Sequence, residues 1–316
     1  MTPVARVCRP DADTAALLDM LEGAPPLGAL SIRDTREAML AAAPIFYPDM
    51  PPIGEEPTSI GGVPVRIYRP IGTDLKQPLA ALLFFHGGGW AMGDLDGYAP
   101  ICARLASDAG LCVISVDYRL APEHPFPAAL DDAAGVAEAL FAEGEALGID
   151  TARIAVGGDS AGGNLAAVLC LQRRDAKVAT FRFQMLLYPV TDLRMQSASY
   201  RDCAEGYMLT AGSMAWFRSL YLSADHDVED WRVSPLLAAS HANLPPAHVV
   251  TCGLDPLQDE GRAYADLLER GGIDVTRRHY AGQIHGFLFM GKMIKRVEPA
   301  LAEISHRLQT ALACTD

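Results

Sequence analysis

Short apolar runs of strand length recur along the chain and alternate with stretches in which apolar positions return every three or four residues. The runs Leu79–Phe85, Leu111–Val116, Ile154–Val156, Phe183–Tyr188, His248–Cys252 and Asp274–Tyr280 read as strands. Between them lie helical patterns: Tyr98, Ile101, Cys102 and Leu105; a helix over 128–147; one opening near Asn164; one over 258–270; and a closing helix carrying Val297, Leu301, Ile304 and Leu308. Nearly continuous hydrophobicity in the strands means burial on both faces. The alternation therefore predicts an α/β fold with a mainly parallel sheet covered by helices on each side.

Two regions depart from this rhythm. Ahead of the first buried strand, 11–22 (Ala15, Leu18, Leu21) and 32–43 (Ala38, Met39, Ala42) have the spacing of short amphipathic helices. They are punctuated by Gly23–Gly28 and a proline-rich stretch, 44–57. Thr58–Ile60 and Val63–Tyr68, joined across Gly61-Gly62, read as a hairpin. After Tyr188 the alternation lapses until about Pro246, more than fifty residues, which is too long for a structureless loop. A helix centred on Trp216, Phe217, Leu220 and Tyr221 points to an inserted subdomain there.

Composition narrows the functional classes. Of the 316 residues half are hydrophobic and 21% charged, as expected for a compact enzyme-sized domain. A net charge of -13 and a pI near 5.0 oppose binding to nucleic acid or an anionic membrane. No apolar run reaches membrane-spanning length, and the seven cysteines form no C-x-x-C pair, so a cytoplasmic, reducing compartment without a stable membrane anchor is expected. No metal-ligand spacing, phosphate loop or dinucleotide fingerprint occurs, and neither metal nor cofactor is expected. A homodimer is left open.

The candidate chemistry sits at strand ends. In Gly157-Gly158-Asp159-Ser160-Ala161-Gly162-Gly163 a serine stands between glycines at minus two and plus two, after a strand and before a helix. That is the pattern of a nucleophile elbow, a strained turn that lifts a hydroxyl clear of the sheet. Upstream, the strand at Leu79–Phe85 ends in His86-Gly87-Gly88-Gly89, a run that composition alone would produce in roughly one such chain in two hundred. Consecutive glycines let backbone N–H groups converge on one point, as an oxyanion requires, with the N–H of Ala161 as a further donor. A serine nucleophile needs a histidine base and an orienting carboxylate, in chain order Ser, acid, His. His279 lies in a strand and His306 in a helix, whereas His285 falls in a loop; Asp255 directly follows a strand. Ser160, Asp255 and His285 are the expected triad.

Together these segments resemble the hormone-sensitive-lipase-like esterases of the α/β-hydrolase superfamily over nearly the whole chain. The matching motifs are HGGGW at 86–90, DYRLAPEHPFPAALDD at 117–132, GDSAGG at 158–163, EGYMLT at 205–210, DPLQDE at 255–260 and HGF at 285–287. The resemblance implies an α/β-hydrolase fold, and Gly87, Gly88 and Ala161 as oxyanion donors. It also implies a helical cap made of residues 1–50 and 189–246 over a catalytic domain of 51–188 and 247–316. Trp90, Met208, Trp216, Phe217 and Phe287 are candidate pocket walls. Arg119 and Glu123 are expected to form an ion pair or hydrogen-bond network beneath the oxyanion loop, and Asp159 to satisfy backbone N–H groups. Gln258 stands where many relatives carry Arg.

The function these residues point to is cofactor-independent hydrolysis of a small-molecule carboxylic ester of short-to-medium acyl chain, through an acyl-enzyme. Amide or peptide hydrolysis on the same triad is the alternative within enzymes. A non-catalytic small-molecule receptor of similar fold is the alternative outside them.

Overall fold

The computed structural model describes residues 8–314, so the first seven residues of the expected cap segment and the last two of the catalytic segment lie outside the described residues. Along the chain come α1 (Ala12–Met20), α2 (Ile32–Phe46), β1 (Gly54–Ile60), β2 (Val63–Arg69), β3 (Leu79–Phe85), α3 (Leu95–Ala109), β4 (Cys112–Val116), α4 (Ala128–Glu143) and β5 (Ile149–Asp159). There follow α5 (Ala161–Ala176), β6 (Phe183–Leu187), α6 (Ser199–Asp202), α7 (Ala211–Tyr221), β7 (Ala247–Leu254), α8 (Gln258–Arg270), β8 (Val275–Ile284) and α9 (Val297–Ala311).

All eight strands join one sheet in the order β1-β2-β4-β3-β5-β6-β7-β8. The hairpin β1–β2 turns through Gly61 and Gly62, both at positive φ, the conformation a two-residue hairpin loop demands. β2 meets β4 antiparallel, and the pairings from β4 through β8 are parallel. Two apolar clusters lie on opposite faces of the sheet. Leu83, Phe85, Ile114 and Val156 belong to one; Leu82, Phe84, Val113 and Ala155 belong to the other. Alternate residues of one strand face opposite layers, which explains why these strands read as unbroken apolar runs.

Register brings the chemistry together. Phe85 pairs with Gly158, so the turn after β3 lies beside the elbow after β5. Leu254 pairs with Ile284, so the residues that follow, Asp255 and His285, emerge side by side from β7 and β8. All four segments leave the carboxyl end of the parallel sheet, where open α/β sheets place their ligands. The expected lapse in alternation is also present: α6, α7 and turns fill 189–246. α2 runs three residues beyond its expected end, through Pro44, because Phe46 and Tyr47 pack against an apolar cluster and hold the last turn in place.

Candidate active site

Ser160 is the pivot between β5 and α5, with φ 54° and ψ -118°. This backbone conformation is costly for a residue with a side chain and persists because its surroundings over-determine it. The Ser160 N–H donates to Leu187 O (2.9 Å), and its carbonyl accepts from Asn164 N (3.1 Å) and Val190 N (3.1 Å). A Cβ on Gly158 or Gly162 would strike the backbone of Phe85 or of the elbow itself, so glycine is required where the two arms cross.

The three expected triad residues form one hydrogen-bonded chain. His285 Nδ1–H donates to Asp255 Oδ2 at 2.8 Å, which leaves Nε2 as acceptor for the Ser160 hydroxyl at 2.9 Å. The second oxygen of Asp255 accepts from Leu257 N at 2.8 Å, and Asp255 is fully buried. Gly286 follows His285 at φ 71°, and the Tyr188 ring meets the imidazole edge-on at 4.9 Å. Each partner restricts the ring, and the reacting nitrogen faces the hydroxyl.

The glycine turn corrects one expectation. The Gly87 N–H is already engaged, donating to Asp159 Oδ1 (2.8 Å) and to the Tyr98 hydroxyl (2.8 Å), and Gly87 does not line the cavity in front of Ser160. Gly88 and Gly89 do line it, and their N–H groups have no acceptor among the described residues. Both have positive φ, 94° and 60°. A Cβ on Gly88 would enter the Met92 backbone, and one on Gly89 would enter the Phe217 ring. The usable donors thus sit one residue further along than the motif implied, because the first glycine anchors the turn.

That anchor is a buried acid. Desolvation raises the Asp159 carboxyl from 3.8 to about 7, while His285, the Gly87 N–H and Tyr98 pull it back down. His86 is also buried; its Nδ1 lies 2.8 Å from Gly87 O, and its ring stacks on Tyr118 at 4.2 Å. Desolvation lowers its pKa to about 4, so it is a neutral structural ring. On the far side of the elbow, Glu260 accepts from Thr191 N (2.7 Å) and Asp192 N (3.2 Å), pinning the segment after β6. Gln258, the departure from the motif, donates from its side chain to Gly253 O at 2.9 Å, and only its backbone N–H meets Asp255, at the carbonyl (3.1 Å).

A cavity of about 800 Å³ opens above Ser160 and His285. Its walls come from α1 and the turn after it (Leu18, Leu21), from α2 (Met39, Phe46) and from the 206–217 region (Met208, Phe217). Of the five expected wall residues only Met208 and Phe217 line the cavity. Trp90 is fully buried, stacked on Tyr221 with ring centres 4.2 Å apart and planes 3° from parallel. Phe287 is fully buried against Tyr188 and Tyr280. Trp216 packs over Gly28 and Phe217 outside the cavity. These three are corrected to packing residues. Arg119 and Glu123 do not pair with each other: Arg119 pairs with Asp132 (2.7 Å), and Glu123 with Arg36 (2.8 Å), so that Glu123 joins a network reaching the glycine turn through Arg36 while Arg119 belongs to another pair. The missed wall residues had one signal, the apolar stripe Ala38, Met39, Ala42 continued by Phe46 at helical spacing.

Comparison with known proteins agrees with this architecture. A family model described as the alpha/beta hydrolase fold matches residues 82–289. The chain belongs to the α/β-hydrolase family, in its hormone-sensitive-lipase-like branch. Among other members, it is 42% identical to the ethyl acetate hydrolase of Pseudomonas putida over 251 residues, 79% of each chain. It is 34% identical to the carboxylesterase NlhH of Mycobacterium tuberculosis, over 97% of both. Among solved α/β-hydrolases, a thermostable esterase from Pseudomonas putida superposes with a TM-score of 0.92 at 34% identity, covering 97% of this chain and 99% of that one.

Proposed function

We propose that this carboxylic ester hydrolase works with Ser160 as nucleophile, His285 as general base and acid, and Asp255 as the carboxylate that holds the imidazole tautomer. The hydrogen-bonded chain from Asp255 through His285 to Ser160, at 2.8 and 2.9 Å, is the observation that carries this reading. Ser160 Oγ attacks the ester carbonyl as its proton passes to His285 Nε2, and the carbonyl π electrons move onto oxygen. The resulting oxyanion is met by the N–H groups of Gly88, Gly89 and Ala161. Collapse breaks the bond to the alcohol, which takes the proton from His285. Water then adds to the acyl-enzyme by the same sequence, releasing the acid and restoring Ser160.

The cavity supports a finer statement about substrate. Its walls are mostly apolar, no lysine or arginine lines it among the described residues, and the carboxylates Asp19 and Glu22 stand among its lining residues on the exposed side. An ester carrying a free carboxylate would be desolvated there without a partner, so neutral esters of short-to-medium acyl chain are the substrate class. Within the described residues, the expected division becomes a cap of 8–50 and 189–246 over a catalytic domain of 51–188 and 247–314. All seven cysteines are unpaired, which supports a reducing, cytoplasmic compartment. Among the described residues no helix is long and apolar enough to cross a membrane.

A panel of p-nitrophenyl esters with neutral and ω-carboxylated acyl groups, run beside the matching anilides, tests the reading. Neutral esters should exceed their ω-carboxylated counterparts by about a hundredfold in kcat/KM, the order expected for burying an unpaired charge. Anilides turned over as fast as esters would make the protein an amidase. Binding without turnover would make it a receptor.

A further inference from the structure

The turn that carries the Gly88 and Gly89 amides is held at both ends. At its inner end Asp159 and Tyr98 take the Gly87 N–H, and the Tyr118 hydroxyl donates to His86 O at 2.7 Å. Gly88 O then accepts from Ala91 N (3.1 Å) and Met92 N (2.9 Å), so residues 88–92 form one closed loop. The outer end is held from outside the sheet. Arg36, in the second turn of α2, donates from Nε to Ala91 O (2.7 Å) and from Nη2 to Ala121 O (2.8 Å). The same guanidinium pairs bidentately with Glu123, Nη1 to Oε1 and Nη2 to Oε2, each at 2.8 Å. Ala121 N returns to Trp90 O at 2.8 Å, so one side chain ties α2 to both strand-end loops.

Charge alone would not make this arrangement important, because the ion pair is partly solvated and such pairs contribute little. The geometry is different in kind. A planar fork satisfies two carbonyls from separate segments and a carboxylate at once, which an ammonium on a flexible stem cannot do. Arg36 also holds the Glu123 carboxyl down at about 2. The helix that carries Arg36 lines the cavity through Thr35, Ala38, Met39 and Ala42, immediately beside it in sequence.

We propose that Arg36 is a positioning residue for the reaction: with α2 seated over the cavity, its guanidinium fixes the 88–92 turn so that the Gly88 and Gly89 N–H groups point at the developing oxyanion. Closing the roof and completing the oxyanion site are then one event. The inference rests on the reading of Gly88 and Gly89 as donors and of Ser160 as nucleophile.

The test uses the full chain with Arg36→Ala, Arg36→Lys and Glu123→Gln, assayed on p-nitrophenyl butyrate. Affinity for an alkyl boronic acid, whose boron takes an electron pair from Ser160 Oγ and so mimics the tetrahedral state, is measured alongside. Arg36→Ala should lose about 10- to 30-fold in kcat with KM within about twofold, and boronate affinity should fall by a similar factor, as for a weakened transition-state contact. Arg36→Lys should recover less than half of the loss, and Glu123→Gln, which leaves the Arg36 bonds to Ala91 and Ala121, should lose less than about threefold. Millimolar guanidinium added to Arg36→Ala should restore part of kcat. A rise in KM with kcat and boronate affinity unchanged would overturn the proposal and leave Arg36 as a fastener of the helix alone. If Arg36→Ala does not fold, Arg36→Lys is held to the same kcat-against-KM criterion. Undiminished turnover by Ser160→Ala would instead remove the underlying reading, whatever Arg36 does.

Discussion

Asp255, at the end of β7, is wholly buried and hydrogen-bonded through both oxygens, whereas Met20, Leu40 and Ile45 on the two N-terminal helices are 50%, 48% and 58% exposed. The floor of the cavity is the end of a sheet sealed by two apolar clusters. The roof is fastened largely at points: Thr14 to Gln283 (3.0 Å), Gln283 to Asp11 (2.8 Å), Lys295 N to Asp13 (2.8 Å), and Arg36 to the oxyanion turn. A few polar fasteners and a half-wet apolar face mark a region that opens more readily than the core. Chemistry is therefore built where the chain is least able to move, and substrate choice where it is most able. Substitutions in the floor, or at Arg36 where the roof grips it, should change whether esters are hydrolysed; substitutions in the rest of the roof should change which ones.

The sharpest way to break this division is at its centre. Ser160→Ala should lower kcat by at least about a thousandfold, leaving only residual oxyanion-site catalysis, while Tm stays close to wild type because a hydroxyl that faces the cavity above it leaves no void in the packed core. Loss of folding along with activity would mean that the elbow serves stability as well.

Next in size is the turn. Gly88→Ala places a side chain at φ 94° against the Met92 backbone, and should lower kcat by about a hundredfold with a smaller change in KM. Gly87→Ala, whose Cβ would press on Asp159, should disturb the anchor instead and lower Tm as well. If Gly88→Ala altered KM alone, the turn would belong to ground-state binding and thus to the roof.

Acyl length probes the roof directly. Butyrate or hexanoate esters should exceed laurate by about tenfold in kcat/KM, since each accommodated methylene helps by at most about 0.8 kcal/mol and the first that meets the wall reverses the trend. A Met39→Ala chain should move the optimum toward longer acyl groups with kcat on butyrate little changed. An optimum at twelve carbons in the unaltered chain would show an open groove.

The smallest effect concerns pH and the floor. Because burial raises Asp159 from 3.8 to about 7, the folded chain keeps a proton that the unfolded chain releases near pH 4. Its stabilising contribution is complete below the unfolded value and lost as pH rises through about 7. Tm of wild type minus that of Asp159→Asn should therefore fall by a few degrees between acid and pH 8. A difference that is constant, or that grows with pH, would contradict the burial-driven shift.

How much of this was legible beforehand follows the range of the interactions involved. The elbow, the glycine turn and the choice of His285 over His279 and His306 could be read along the chain, because they depend on local requirements: glycine where backbones cross, a loop after a strand, a fixed chain order. The strands were legible for a related reason, since a sheet covered on both faces needs apolar residues at consecutive positions. The hairpin and the lapse after Tyr188 were equally local.

Other features were decided only by packing. Which glycine offers its N–H depends on Asp159 reaching back from the next strand to claim Gly87, a contact between residues 72 positions apart. An aromatic residue carries no mark of whether it will face a cavity or a core, so the sequence offers Trp90 and Phe287 as wall residues, whereas in the fold Tyr221 packs on the one and Tyr188 and Tyr280 on the other. Arg36 and Glu123, 87 positions apart, meet because α2 lies across the strand-end loops. The sequence by itself marked out Ser160, His285 and Asp255, which the fold joins in one hydrogen-bonded chain, since each sits where backbone geometry admits few alternatives. Tertiary structure decided which glycine N–H groups stay free to face the cavity, the walls and their fastening, because those depend on which surfaces are brought together.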